Sequence, residues 1–380
     1  MILFLVRGGQ STLVYPNGDE IRQREKRNLV GYNGSYIHNG EIFGMKTTFD
    51  AGLNLRLDAT TDTELDHTKN RYQTLEILKL GNVTQSSYSA YLSNSFQLNT
   101  QLTIRAGIRY DQFYFLYKNK LSGDSAFNGA GRYNSRNGIF SPKLNFYYAV
   151  SEKAQIYLLF GKGFNSNDTR AVVAIKNLPT LPAAYGVDLG TTMKPAKNLL
   201  LNAVLWYSYL QQEYLYAGDG GTIDFSGRTR RLGFDFSARY QPFPSIYFDL
   251  DVNYANGRSL DISPGNSYIP LAPVWSSSGG LTYVLKDGLN GSLRYRYLSD
   301  RPAVEDYSQT ASGYFVNDLV LNYTTKKYEI GVTINNLCGV RWKESQFQAE
   351  TRLRGEPVDN GITFTPGTRF STQVHLSYNF

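Results

Sequence analysis

Cysteine and histidine are nearly absent from this chain of 380 residues, which holds one cysteine and three histidines. A single cysteine, Cys338, excludes a disulfide framework and any zinc site built on cysteine pairs. The histidines are His38, His67 and His375, and their wide separation matches no metal-binding motif. We therefore predict neither a metal site nor a cofactor.

The sequence also lacks any apolar run of the roughly 20 residues that a membrane-spanning helix requires. Charged residues make up only 19% of the chain, and the net charge of +7 is spread along it. A nucleic-acid-binding surface needs a clustered basic patch, so we predict none. No Gly-x-Ser-x-Gly elbow supports a catalytic triad, and we predict that the protein is not an enzyme.

What the sequence has in abundance is tyrosine, phenylalanine and glycine, at 30, 21 and 35 residues. Aromatic side chains pack well on a pleated surface, and glycine serves tight turns. The dominant pattern is a strict alternation of apolar and polar residues, which is typical of β-strands with one apolar and one polar face. It is clearest in 231–241, 248–254 and 370–380.

The lengths of the connections between these strands alternate as well. Counting back from Phe380, the short connections are 324–327, 286–289, 242–245, 194–198, 151–154 and 98–101. The long connections between them are 339–369, 299–313, 256–272, 217–230, 164–184 and 118–137. Outer-membrane barrels have this asymmetry, with short periplasmic turns and long extracellular loops, whereas a soluble β-sandwich has no reason to keep it.

We therefore predict an all-β fold, a transmembrane antiparallel up-and-down β-barrel formed by one domain over residues 1–380. At about 22 residues for each strand and its connection, the length supports roughly 17 strands. Strand 102–117 ends in Phe113, Tyr114, Phe115 and Tyr117, which we expect to form part of an aromatic girdle at the membrane surface.

Charged residues on the polar face of the strands are the first candidates for function. A charge facing lipid near the midplane would cost about 2–4 kcal/mol, so these residues are expected to face the lumen. There they either pair with one another and with an internal plug, or guide a substrate. Arg239 and Asp249 flank a short hairpin, and we expect them to form an ion pair. The predicted lumen-facing residues are Arg105, Arg109, Asp111, Arg231, Asp235, Arg239, Asp249, Asp251, Arg294, Arg296 and Asp318.

The long loops are the second set of candidates, because substrate recognition from outside would occur there. A basic and aromatic rim could attract an anionic chelate, although a mixed-charge solvated loop has the same composition. The loop candidates are Arg170, Lys176, Trp342, Lys343, Glu344, Arg352 and Arg354.

Several short motifs occur in an order that resembles one known family, the TonB-dependent outer-membrane receptors. They are Gly-Ile-Arg-Tyr-Asp at 107–111, Phe-Gly-Lys-Gly-Phe at 160–164, Tyr-Gly-Val-Asp-Leu-Gly at 185–190, Ile-Pro-Leu-Ala-Pro at 269–273, Asn-Asn-Leu at 335–337, and the terminal Phe380. Asp188 stands where the family commonly has glutamate. The chain resembles the C-terminal part of the receptor barrel.

The resemblance implies a bacterial outer-membrane location and energised uptake of a large scarce nutrient, such as a ferric siderophore or other metal chelate. It implies contact with membrane lipid and with the TonB complex, the latter through a plug domain. No plug or TonB box is recognisable, and the family barrel has about 22 strands. We therefore expect an N-terminally incomplete receptor that cannot carry out energised uptake alone.

The terminal strand 370–380 ends in Phe380, which resembles the signal read by the barrel-assembly machinery. Two other classes remain open at this stage. One is a passive porin-like channel with a closed barrel and a constriction loop in the lumen. The other is a soluble β-rich secreted protein.

Overall fold

The computed structural model describes residues 2–6, 19–70, 72–124, 126–216, 223–225, 227–285, 288–348 and 361–380. Sixteen strands form one antiparallel sheet in which spatial neighbours follow chain order. They are β1 (Ile2–Val6), β2 (Asp19–Ile42), β3 (Met45–Lys69), β4 (Gln73–Gln97), β5 (Leu102–Asn119), β6 (Gly131–Ser151), β7 (Ala154–Phe164), β8 (Ala183–Ala196), β9 (Leu199–Leu210), β12 (Thr229–Phe243), β13 (Ile246–Ser259), β14 (Trp275–Val284), β15 (Leu289–Leu298), β18 (Tyr314–Thr324), β19 (Tyr328–Asn335) and β22 (Ser371–Tyr378).

Three small hairpins project from the loops: β10 (Tyr214–Tyr216) with β11 (Ile223–Phe225), β16 (Arg301–Pro302) with β17 (Thr310–Ala311), and β20 (Lys343–Gln348) with β21 (Ile362–Pro366). One short helix, α1 (Thr169–Ala174), occurs among the described residues. No helix in these ranges is long and apolar enough to cross a bilayer.

The up-and-down order and the all-β class confirm the prediction from alternation and connector length. Tight turns join the strands at one end of the sheet, which we call the turn end, and the hairpin-bearing loops lie at the other, the loop end. In the described residues no pairing joins β1 or β2 to β22, so these sixteen strands form an open wall. β1 pairs only with Asp19–Gln23, and the rest of β2 is paired only with β3.

The two faces of the wall differ as the alternation predicts. β12 pairs with β13 so that Phe236 lies opposite Val252 and Asp235 opposite Asn253. The amide of Asn253 donates to Asp235 at 2.9 Å, which places both on the face that carries the ion pairs. We call this the polar face and the other the apolar face. Leu232 on the apolar face is 56% exposed, as expected of a side chain that is predicted to face lipid.

The aromatic end of β5 is placed differently from the expectation. Only Tyr114 lies on the apolar face, while Phe115 and Tyr117 are each 1% exposed and lie on the polar face, with Phe113 also buried there. Alternation sends odd-numbered residues of β5 inward, and a loop folds back to cover them. These three rings are therefore packing residues of the loop end and not part of a girdle.

We predict that Leu250→Arg lowers the folded, membrane-inserted fraction far more than Asp251→Ala, its neighbour on the opposite face of β13. A charge on the apolar face near the midplane costs about 2–4 kcal/mol, whereas the polar face stays in contact with water. Heat-dependent gel mobility measures the folded fraction. Equal losses for the two variants would contradict the assignment of the faces.

Candidate functional site

Arginine and aspartate side chains on β3 and β5, together with a serine on β4, form a linked group on the polar face. Arg109 donates to both carboxylate oxygens of Asp111, at 2.8–3.0 Å, and to Ser89 at 2.6 Å and Asn54 at 3.0 Å. Arg105 contacts Asp50 at 3.4 Å. Each guanidinium is thereby neutralised by the wall itself, and charge-assisted bonds of this kind hold neighbouring strands in register.

The second group of ion pairs crosses β12, β13, β15 and β18. Arg239 lies directly opposite Asp249, yet its guanidinium donates to Asp251 at 2.9 and 3.0 Å. Asp249 instead accepts from Arg294 of β15. The prediction of an Arg239–Asp249 ion pair is therefore wrong. The long side chain of Arg239 reaches its diagonal neighbour Asp251, and Asp249 pairs with Arg294 two strands away.

The remaining predicted polar-face residues also have partners. Arg296 lies 3.6 Å from Asp318, and Arg231 pairs with Glu213 in the loop that follows β9. Register and alternation place all eleven predicted residues on the polar face. Most of these charged side chains are therefore paired within the wall itself, as expected of the stable lining of a water-filled lumen.

A segment at the loop end covers part of the polar face. We call residues 165–182, which include α1, the inner segment. Its Val172 and Leu181 pack with Phe113 and Phe115 in a buried apolar cluster. The amide of Gln85 on β4 donates to Ser166 at 3.3 Å. The segment therefore lies against the wall inside the mouth.

Asp168 caps α1. Its carboxylate accepts from the backbone N–H groups of Arg170 and Ala171 at 2.9 and 3.3 Å, and from the Arg170 guanidinium at 3.1 Å. Burial raises the pKa of Asp168, but attraction to Arg170 and these hydrogen bonds outweigh it, so the net pKa lies below its ordinary value. The ionised carboxylate is thus the form that holds the start of the helix.

A cavity of about 940 Å³ lies between the inner segment and the loop-end parts of β2, β3 and β4. We call it the mouth cavity. Arg24 is paired with Glu64, and Asp62 with Lys120 at 2.6 Å. Lys26 and Lys79 have no ion pair within the described ranges, which leaves the cavity with surplus positive charge. Its lining consists of Gln23, Arg24, Glu25, Lys26, Asp62, Thr63, Glu64, Leu65, Lys79, Leu80 and Arg170.

A second concavity of about 470 Å³ opens on the polar face across β6 to β12, and we call it the wall recess. It brings Asp188 and Asp235 together beside Trp206, with Tyr147 and Tyr157 also in the lining. In the described part of the chain neither carboxylate contacts a basic side chain, and the indole N–H of Trp206 is buried without a hydrogen-bond partner. The recess is therefore the place on the wall where negative charge is left uncompensated.

The loop candidates are scattered. Arg170 lines the mouth cavity, and Lys176 is exposed on the inner segment. Trp342 is 8% exposed, and its indole N–H donates to the Thr368 carbonyl at 2.9 Å, so the ring fixes its own loop. Lys343 lies 4.5 Å above the Phe364 ring and Glu344 is exposed. Arg352 and Arg354 fall outside the described residues.

Sequence reasoning missed Lys26, Lys79 and Trp206. The lysines lie where β2 and β4 extend past the regular alternation. The register shifts there at β-bulges, which cannot be predicted from the sequence. Trp206 was visible only as an aromatic near a strand end. Its partner across the ladder, Gly233, leaves room that the ring fills.

We predict that Asp168→Asn loosens the inner segment by about 0.2–1 kcal/mol, because the neutral side chain can still cap the helix but loses its charge attraction to Arg170. Since the folded pKa of Asp168 is lowered, its contribution is present above the ordinary aspartate range and is lost as pH falls through the folded value. Hydrogen-exchange protection at 169–174, corrected for the intrinsic pH dependence of amide exchange, should fall with acid in the parent protein. Protection in the variant should change little with pH, and a parallel fall in both would contradict the role of Asp168.

The fold matches known outer-membrane receptors. The ferric yersiniabactin uptake receptor FyuA from Yersinia pestis is 14% identical with a TM-score of 0.74, over 95% of this chain and 55% of that protein. The ferric citrate transporter FecA, in its unliganded form, is 14% identical with a TM-score of 0.76, over 94% and 55%. The copper transporter OprC is 14% identical with a TM-score of 0.69, over 94% and 57%. This chain thus spans little more than half the length of each.

The family model described as the TonB dependent receptor-like β-barrel matches residues 5–337. That family consists of outer-membrane transport proteins and not of enzymes. The match includes the two ion-paired groups, the inner segment, the mouth cavity and the wall recess. The chain belongs to the TonB-dependent receptor-like β-barrel family.

Proposed function

We propose that this chain forms a single domain, the wall of an outer-membrane receptor that takes up a large, scarce nutrient by an energised route. The observation that carries the proposal is the mouth cavity, which opens at the loop end above an ion-paired polar face. A cavity in that position meets solutes from outside the cell first. The wall below it presents water-compatible charge along the path inward.

The substrate we propose is an anionic metal chelate. Lys26 and Lys79 form no ion pair with a described carboxylate, and low-dielectric walls focus such positive charge on an approaching anion. Arg24 and Arg170, now paired with Glu64 and Asp168, can instead bind an oxygen atom of the ligand. The volume of about 940 Å³ suits a chelate of large-ligand size. The structural neighbours are described as receptors for ferric chelates and for copper, which is consistent with this class.

The partner we propose for the polar face is an internal plug, through which the TonB complex would act. Two carboxylates in the wall recess, Asp188 and Asp235, have no basic partner in the described wall. Two carboxylates of like charge share this concavity, and a nearby opposite charge stabilises both, so basic side chains of a plug would fit here. The eleven lumen-facing residues then serve chiefly as lining.

A passive channel is the second candidate, and the inner segment favours it. A loop folded onto the polar face narrows the lumen in the way a constriction loop does. The two functions differ in their energy requirement. Uptake that stops when the proton-motive force is removed supports the receptor, and uptake that continues unchanged supports the channel.

We predict that the double variant Lys26→Glu, Lys79→Glu, made in the complete protein, weakens binding of an anionic ferric chelate at least about ten-fold, because each change reverses a charge lining the cavity. The matched control is Lys153→Glu, Lys327→Glu, which makes the same charge change at the turn end. Binding is measured by fluorescence quenching on whole cells. An equal loss in variant and control would contradict a specific role for the cavity.

We also predict that deleting Phe380 lowers the folded yield in the outer membrane. Phe380 is fully exposed and contacts Tyr378 at a ring distance of 5.2 Å, so it adds little to the stability of the folded wall. A loss of yield would therefore reflect recognition by the assembly machinery. Asn379→Ala, beside it, is the control, and an undiminished yield without Phe380 would count against the signal.

A further inference from the structure

The apolar face carries a cluster of basic residues near the loop end of β5 and β6. Lys118 lies directly opposite Arg132, and Arg136 lies opposite Tyr114. All three basic side chains are exposed. None of them has an ion pair among the described residues. We call Lys118, Arg132 and Arg136 the basic cluster.

Like charges directly opposite each other destabilise a strand pair, so Lys118 and Arg132 repel across the ladder. No neighbouring strand supplies a carboxylate that would offset this repulsion. On β4 the residues facing the cluster are Asn82, Thr84 and Ser86, which are uncharged. On the other side, β6 is paired with β7 only from Lys143 onward. Asp62, which accepts no bond from the cluster, is already paired with Lys120 at 2.6 Å.

An apolar groove of about 630 Å³ lies on the same face, nearer the turn end. Tyr110 and Phe140 form its edge beside the basic cluster, with ring centroids 4.7 Å apart, and Phe140 is 57% exposed. Leu53, Leu92 and Ile108 line the groove further along. It is wide enough for hydrocarbon chains and offers them aromatic and aliphatic walls.

The position of the basic cluster along β6 fits one boundary of a bilayer. Tyr148, at the turn end of β6, and Arg136 are twelve positions apart, or about 40 Å along a strand at ~3.3 Å per residue. A strand tilt of about 40° reduces this to about 30 Å across the membrane, which is the thickness of the hydrocarbon core. Arg136 therefore lies at the outer boundary, and Lys118 and Arg132 lie above it.

We propose that the basic cluster and the apolar groove together bind a phosphorylated glycolipid of the outer leaflet. Its phosphate groups would meet Arg136, Arg132 and Lys118, and its acyl chains would occupy the groove. This partner supplies the anion that the repelling Lys118–Arg132 pair lacks, and one molecule carries both the phosphate groups and the acyl chains. The site is on the face opposite the mouth cavity and is independent of the transported substrate.

The test is native mass spectrometry of the complete protein in detergent micelles, with bisphosphorylated lipid A as the probe. The variant Arg132→Gln, Arg136→Gln should weaken binding about thirty-fold, since each basic residue near a charged lipid surface contributes to affinity. Lys153→Gln, at the opposite end of β6, should bind as the parent does. Lipid A with its phosphates removed should bind the parent as weakly as the variant binds the intact lipid.

Three results would overturn the proposal. One is a double variant that binds intact lipid A within about two-fold of the parent. Another is equal binding of the parent to the dephosphorylated lipid. The third is complete displacement of the lipid by inorganic phosphate, which would assign the cluster to a free anion. Both substituted residues are exposed on the strand surface, so the folded mass and gel mobility of the variant confirm that it is intact.

Discussion

The backbone hydrogen bonds between neighbouring strands impose the constraint on which everything else in this wall depends. In hydrocarbon a peptide group has no water to bond, so a spanning strand needs a paired neighbour on each side, as the main-sheet strands from β3 to β19 have. Pairing in an antiparallel ladder fixes a two-residue period, and that period assigns every side chain to one face. The charged residues of β12, β13 and β15 are on the polar face for this reason, before any function is considered.

Once the faces are assigned, charge becomes the quantity that distinguishes one part of the wall from another. Arg109 with Asp111 and Arg239 with Asp251 cancel each other within the lining. Within the described residues, charge is left unpaired in three regions: the lysines of the mouth cavity, the carboxylates of the wall recess, and the basic cluster on the apolar face. Each points to a different partner, namely a soluble anion, an internal basic segment and an acidic lipid. Uncompensated charge is thus the most informative feature of an otherwise repetitive fold.

Strand alternation and connector length were sufficient to predict the all-β class, the up-and-down order, the faces and a strand number close to the sixteen found. What alternation could not predict is where loops fold back. Phe113 and Phe115 look like girdle residues in the sequence, and only the structure shows that the inner segment covers them. Ion-pair partners could not be predicted either, because Arg239 can reach Asp249 or Asp251 and only the structure shows that Asp249 is bonded by Arg294.

The central claim is that one face of this wall meets water and the other meets lipid. Spin labels placed singly at 248–254 of β13, with Cys338 and every other native cysteine replaced by serine, test it most directly in the complete protein reconstituted in vesicles. Accessibility to oxygen should peak at 248, 250, 252 and 254, and accessibility to a water-soluble nickel chelate at 249, 251 and 253. Collision profiles without a two-residue period, or with the two quenchers in phase, would contradict the account.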